Sequence, residues 1–147
     1  MKTILVATDG SDNAQKAVGI AIELARDAGA ELVVTTIRVM PPIGRGGGGG
    51  PVLAVEDPAQ ARSIAADAAA LAVEAGVKAR AEARAGEPAD EIVRLAGEIS
   101  ADMVVVGTRG LGAIAGALMG SVSRSVVRHA AAPVTVVHAP AREHAAV

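Results

Sequence analysis

Glycines and serines in the last third of the chain have the spacing of an anion-binding loop. Two residues separate Gly107 from Gly110, and nine more lead to Gly120 and Ser121. Glycines let backbone N–H groups approach an anion without a Cβ in the way. Gly120 and Ser121 also open a predicted helix, whose first N–H groups are unpaired and carry about half a positive charge. The pattern indicates a phosphate site, with the hydroxyls of Ser121 and Ser123 as further donors.

The spacing alone leaves a second interpretation open. Ser121 could be only an N-cap, worth about 1 kcal/mol, with the glycines serving the turns. Two other phosphate motifs fit less well. Gly107 and Gly112 have the Walker spacing, but Ala113 replaces its lysine. The stretch 110–115 matches a dinucleotide fingerprint, but no acidic residue follows about 20 positions later to hold a ribose.

A second polar loop follows the first apolar run of the chain. Asp9 comes directly after the run 3–8 and before Ser11, a helix-start residue. Its carboxylate is interpreted as a ligand contact, and the alternative is a charge that stabilises a helix N-terminus by roughly 0.3–1 kcal/mol. Arg109 and Arg124 are candidates for neutralising a phosphate, and solvated surface charge is the alternative for each.

These loops connect elements that alternate regularly along the chain. Short β-branched or alternating runs predict five strands, and helical periodicity with caps predicts four helices between them. Such an order predicts a doubly wound α/β sandwich with a parallel sheet covered on both faces. Ligands bind such sheets beyond the carboxyl ends of the strands, where the strand order reverses. The predicted strands are 3–8, 32–39, 77–84, 101–106 and 133–138, and the helices begin near Ser11, Asp57, Pro88 and Gly120.

Two segments depart from this regular pattern. Residues 41–56 begin with two prolines followed by a run of five consecutive glycines, which predict a flexible surface loop, with disorder favoured over a functional role. In the run 77–84, Val77 and alanines alternate with charged residues. That period of two predicts a half-exposed strand near the sheet edge, with one apolar and one charged face.

Length and composition exclude several classes of protein. The chain has 147 residues, 51% of them hydrophobic, and lacks Cys, Phe, Tyr and Trp. We expect one domain over 1–147, without disulfides, zinc–thiolate ligands or a cysteine nucleophile. Without aromatic stacking platforms, and with a net charge of −2, a nucleic-acid partner is not expected. No apolar run is long enough for a signal peptide or a membrane span, so a cytoplasmic location is expected.

The chain resembles the universal stress protein family, in its nucleotide-binding branch. That branch carries G-x2-G-x9-G-[ST], which Gly107, Gly110, Gly120 and Ser121 match without a gap. The similarity covers most of the chain, through the stretches 4–11, 86–96, 101–110 and 120–137.

The resemblance implies a five-stranded sheet of order 3-2-1-4-5, as in adenine nucleotide alpha hydrolase-like folds. It implies ATP, or ADP or AMP, as the ligand, bound with Mg²⁺. Asp9 would accept a hydrogen bond from the adenosine part beside Ala7, and the adenine would lie between Ile37 and Val106. Many members carry His-Val where this chain has Thr36 and Ile37. The residues implied for the ribose and phosphates are Gly107, Arg109, Gly110, Gly120, Ser121, Val122 and Ser123.

Three functions remain as alternatives. The first is an ATP-binding regulatory protein of stress survival. The second is a slow ATPase or autophosphorylating enzyme with Ser121 or Ser123 as acceptor, which the loop supports little because it contains no lysine. The third is a stress protein that binds no nucleotide. The resemblance also implies a homodimer through the apolar last strand, from Pro133 to His138, and a monomer with a covered edge is the alternative.

Overall fold

The computed structural model describes residues 1–40, 54–108 and 119–138. Arg109, Gly110 and most of the predicted loop 41–56 lie outside these ranges. None of the helices within them combines the length and hydropathy of a bilayer span. The strands are β1 (Thr3–Ala7), β2 (Glu31–Arg38), β3 (Ala79–Ala85), β4 (Met103–Gly107) and β5 (Val134–Val137), and the helices are α1 (Asp12–Ala28), α2 (Pro58–Glu74), α3 (Pro88–Glu98) and α4 (Ser121–His129).

The five strands form one parallel sheet in the order β3-β2-β1-β4-β5. This confirms the predicted doubly wound α/β fold and its strand order. β1 pairs with β2 on one side and with β4 on the other, so the strand order reverses between β1 and β4. Their carboxyl ends therefore meet at the point where such sheets bind ligands.

Side chains of alternate strand residues build two apolar clusters, one on each face of the sheet. Ile4 and Val6 pack with α1 and α2, whereas Leu5 and Val104 pack with α3 and α4. These four side chains are at most 1% exposed, as expected for strands covered on both faces. The result is a three-layer sandwich with the polar loops at its carboxyl edge.

Local capping residues fix where the first three helices begin. The Ser11 hydroxyl accepts from the Ala14 N–H at the start of α1. Asp57 caps α2 with Pro58 as the first helical residue, as the sequence predicts. Glu87 caps α3 by accepting from the Asp90 N–H at 2.8 Å.

β3 is an edge strand, as predicted, but its faces are buried differently from the expectation. Ala81 and Ala83 are exposed, whereas Glu82 and Arg84 are partly buried. The Arg84 guanidinium contacts Glu98 and Glu91 of α3, together with Glu82. The side-chain hydrogen bond that Arg84 donates to Glu98 raises the pKa of Arg84 and lowers that of Glu98. The charged face is therefore covered because it pairs with α3, and alanine is too small to fill the space on the other face.

The described end of the predicted loop packs against the sheet. Val55 is 3% exposed. Its carbonyl accepts a hydrogen bond from the Val39 N–H at 2.8 Å. The chain therefore returns alongside the end of β2 before Asp57 starts the next helix.

Candidate functional site

The loops after β1 and β4 meet at the carboxyl edge, as the strand order implied by the family resemblance requires. Val6 pairs with Val105 in the register, which places the ends of the two strands side by side. The Thr108 hydroxyl donates to Asn13 Oδ1 at 3.3 Å, and Asn13 Nδ2 donates to the Val137 carbonyl. These bonds tie the start of α1 to the ends of β4 and β5.

α4 begins against the end of β4, and its first residue is Ser121, as predicted. The Gly120 N–H donates to the Thr108 carbonyl at 2.6 Å. The Ser123 hydroxyl donates to the same carbonyl and to that of Gly120, both at 3.1 Å. Because a hydroxyl has one proton, Ser123 fixes the helix to the strand end and offers the site its backbone N–H.

The N-terminus of α4 differs from those of the other three helices. Its N-cap is Gly120, which makes no side-chain capping bond. The interpretation of Ser121 as the N-cap is therefore wrong: Ser121 is the first helical residue, and its side chain is exposed. The first N–H groups of such a helix attract an anion.

Four predicted site residues lie on one face of the sheet in a single apolar cluster. Ile37 and Val106 are 8% and 3% exposed and belong to the cluster under α3 and α4. Ala7 and Val122 are partly buried against the same cluster. The structure therefore brings an apolar wall beside the N-terminus of α4.

Asp9 is held in a fixed position at the end of β1. Its Oδ1 accepts from the Ser11 N–H at 3.0 Å, while the Thr8 hydroxyl accepts from the Gly10 N–H. The carboxylate therefore stays at the loop in front of α1.

Of the two arginines expected near a phosphate, the structure describes one, Arg124. The Arg124 side chain is exposed, and its Nη2 donates to the Met119 carbonyl at 3.3 Å. Arg109 and Gly110 lie outside the described residues. In the ranges that the structure covers, no group of three or more His, Cys, Asp or Glu side chains is arranged to hold a metal.

Sequence reasoning missed two polar residues that hold this site together, Asn13 and Thr108. Each bonds to a residue far away in the chain, so neither belongs to a local pattern. One feature of the sequence could have pointed to Thr108: it directly follows a buried strand and lies between Gly107 and Arg109 of the glycine motif.

The chain belongs to the universal stress protein family, whose model matches residues 1–138. A universal stress protein of Methanocaldococcus jannaschii is 35% identical over 144 residues, covering 97% of this chain and 85% of the relative. One from Mycobacterium tuberculosis is 38% identical over 144 residues, covering 93% of this chain and 96% of the relative.

Solved structures of family members have the same fold. A universal stress protein in complex with cAMP has a TM-score of 0.70 and 30% identity, over 93% of this chain and 97% of that one. A universal stress protein from Archaeoglobus fulgidus in complex with dAMP has a TM-score of 0.70 and 28% identity, over 93% of this chain and 98% of that one. Both relatives therefore bind adenine nucleotides.

Proposed function

We propose that this chain binds ATP at the carboxyl edge between β1 and β4 and acts as a nucleotide-dependent regulatory protein in the stress response. The observation that carries the proposal is the α4 N-terminus, which has no side-chain cap and lies against the end of β4. Relatives of the same fold that bind cAMP and dAMP support an adenine nucleotide as the ligand.

The phosphate end of the ligand fits the start of α4. The N–H groups of Ser121, Val122 and Ser123 stand in the first turn, where the helix dipole favours negative charge. Gly107 and Gly120 leave the backbone accessible, and Arg109 and Gly110 complete the proposed loop. Mg²⁺ would reach the site with the triphosphate and neutralise part of its charge.

The adenosine end fits the apolar wall. With no aromatic residue in the chain, the base would pack between aliphatic side chains, those of Ile37 and Val106, beside Ala7. The Asp9 carboxylate, held by the Ser11 N–H, would accept a hydrogen bond from the adenosine part. Binding at this site therefore combines apolar contact with one fixed acceptor.

The absence of aromatic residues provides a direct test. Protein without Trp and Tyr absorbs almost nothing at 280 nm, so any band near 260 nm after purification reports bound nucleotide. Acid release and chromatography then identify ATP, ADP or AMP. Purified protein that shows no such band and does not bind Mg-ATP on titration would favour the third alternative, a family member without nucleotide.

Gly120→Val tests where the phosphates bind. A branched side chain at the N-cap obstructs their approach, so we expect the Kd for Mg-ATP, measured by calorimetry, to rise more than about tenfold. Gly97→Val in α3 is the matched control, because a Cβ at Gly97 meets nothing within 4 Å. Unchanged affinity in a folded Gly120→Val protein would locate the phosphates elsewhere.

A turnover assay separates the regulatory protein from the enzymatic alternative. Ser121 is the candidate acceptor with an exposed side chain. Steady release of ADP, abolished by Asp9→Ala, would favour an ATPase, and a phosphate retained on the protein and lost in Ser121→Ala would favour autophosphorylation.

The proposal also includes a cytoplasmic homodimer. β5 has a neighbour only on the β4 side in the described sheet, so its outer edge is available to a second copy. A cytoplasmic location would give the site access to nucleoside triphosphates, and cell fractionation tests it.

A further inference from the structure

A cavity of about 450 Å³ lies between β3 and α2, away from the nucleotide site. Ala61 and Ala65 of α2 and Ala81 and Ala83 of β3 line it. Arg38, the last residue of β2, also lines it. Its volume is within the roughly 300–1,000 Å³ that is usual for small-molecule sites.

The cavity exists because both of its walls are built from alanine. Ala61 and Ala65 are at most 1% exposed, so α2 contacts the sheet closely at these positions. Ala81 and Ala83 face it from the strand and remain exposed. The exposed methyl groups of the strand leave room that larger side chains would have filled, and they give the cavity an apolar surface.

The charged residues that line this apolar cavity are arginines. The described lining residues include Arg38, Arg62 and Arg84 but no acidic residue. Arg84 is neutralised by its contacts with glutamates, chiefly Glu98 of α3. Neither Arg38 nor Arg62 forms an ion pair with any residue that the structure describes, and Arg38 Nη1 donates only to the Met40 sulfur.

The acid that directly precedes α2 is already engaged. Asp57, directly before the lining residue Pro58, uses Oδ1 to accept from the Ala59 N–H. Its negative charge offsets part of the positive potential at the start of α2. Glu82, between Ala81 and Ala83, points to the other face of the sheet and pairs with Arg84, so Arg38 and Arg62 are the lining charges without an ion pair among the described residues.

A buried hydroxyl adds a polar group to the same face of the sheet. Thr36 pairs with Ala83 in the register, and paired residues of neighbouring strands point to the same face. Thr36 is 1% exposed, and its Oγ1 has no hydrogen-bond partner in the part of the chain that the structure describes. Such a group is costly to leave unpaired.

We propose that this cavity is a second ligand site, which binds a small organic oxyanion. The apolar body of the ligand packs on the alanines, and its carboxylate or phosphate is held by Arg38 and Arg62. Arginine suits both head groups because its planar fork donates two parallel hydrogen bonds. Ile37 belongs to the opposite face, so the two proposed sites lie on opposite faces of the sheet.

Methyl NMR on the full chain tests the proposal. Protein labelled at alanine methyl groups is titrated with hexanoate and with hexyl phosphate, which separate a carboxylate ligand from a phosphate ligand. Hexanol and hexylammonium are the uncharged and cationic controls. We expect saturable shifts at the Ala81 and Ala83 methyls with at least one anion, no shift at Ala96 in α3, and no saturation with either control.

Two substitutions test the site itself. Arg62→Gln changes an exposed side chain and should weaken anion binding about tenfold, because a charge-assisted hydrogen bond is lost. Arg26→Gln, in the last turn of α1, is the matched control and should leave the affinity unchanged. Ala83→Leu should fill the cavity and abolish the shifts, whereas Gly120→Val should not affect them.

The proposal would be overturned by several results. These are the absence of saturable shifts with both anions, equal binding of hexanol or hexylammonium, and full affinity in Arg62→Gln. Because Gly120→Val leaves this cavity intact, its result also distinguishes failure here from failure of the nucleotide site.

Discussion

At the residue scale, a buried hydroxyl group without a hydrogen-bond partner lowers the stability of the folded protein. Thr35 lies on β2 opposite Ala7 and is fully buried. Its Oγ1 has no hydrogen-bond partner in the described part of the chain. A buried polar group left unpaired costs about 1–3 kcal/mol.

Thr35→Val therefore should raise the free energy of unfolding of the nucleotide-free protein by about 1 kcal/mol, because it removes the hydroxyl and keeps the shape. Thr108→Val is the matched control, since that hydroxyl donates to Asn13, and it should lower the stability by about the same amount. Urea denaturation measures both. Destabilisation by Thr35→Val would mean that its hydroxyl is satisfied in solution.

Asp102 links the first strand to the start of β4. Its Oδ2 accepts from the Lys2 N–H at 2.7 Å and from the Thr3 N–H at 3.0 Å. These bonds, the Lys2 one foremost, lower the pKa of the Asp102 carboxyl. A lowered folded-state pKa stabilises the protein above the unfolded-state pKa, and that stabilisation is lost as the pH falls through the folded-state value.

Asp102→Asn should therefore be less stable than the parent at about pH 7, and the difference should shrink below about pH 4. Urea midpoints across this range measure the effect. Asp27→Asn, in α1, is the control for removing a carboxylate. A difference in stability that stays constant with pH would contradict the role given to the Asp102 carboxylate.

At the scale of the elements, local signals predicted the helices well. Asp57 followed by Pro58 marks the start of α2, and Gly29 has the left-handed φ of 66° expected at the end of α1. The faces of β3 could not be predicted this way. Arg84 is covered because α3 supplies Glu98 and Glu91, and that pairing depends on packing between elements.

The difference in burial between helix residues predicts how their substitution changes the stability of the protein. Leu95 of α3 is fully buried, whereas Leu71 of α2 is 56% exposed. Leu95→Ala should lower the free energy of unfolding by about 2–5 kcal/mol through the cavity that it leaves. Leu71→Ala should change it by less than about 0.5 kcal/mol. Thermal or urea unfolding compares the pair, and similar losses from both would contradict the described packing of α3.

At the scale of the molecule, the alternation of elements predicted a parallel doubly wound sheet, and the family resemblance implied the strand order that locates its switch point. That order implies that the loops after β1 and β4 face each other, and the pairing of Val6 with Val105 confirms that the two strands are neighbours. The bonds that lock these loops were not predictable. Asn13 bonds to Thr108 and Val137, and only the folded chain brings these residues together.

The proposed dimer makes a prediction about the outer edge of β5. The carbonyls of Pro133 and Val137 accept from β4 and the loop after it. Because the direction of backbone groups alternates along a strand, the N–H of Val136 points away from β4. Val136→Pro removes that outward donor and should shift the dimer towards monomer, while the pairing of β4 with β5 remains.

Sedimentation or light scattering measures the change in mass. Thr135→Pro is the control, since it removes an N–H on the β4 side and should lower the stability of the fold itself. Parent protein that is monomeric at all concentrations, or a Val136→Pro protein that dimerises as the parent does, would refute the proposed interface.

Neighbouring residues at the end of β2 serve opposite faces of the sheet. Ile37 packs under α3 and α4, whereas Arg38 lines the alanine cavity beside α2. Inserting or deleting one residue within this strand would exchange the two, turning a guanidinium towards the proposed adenine site and an aliphatic chain towards the proposed oxyanion site. A change of length within β2 should therefore disturb both proposed sites at once, whereas an insertion after Arg38 would leave the register of β2 unchanged.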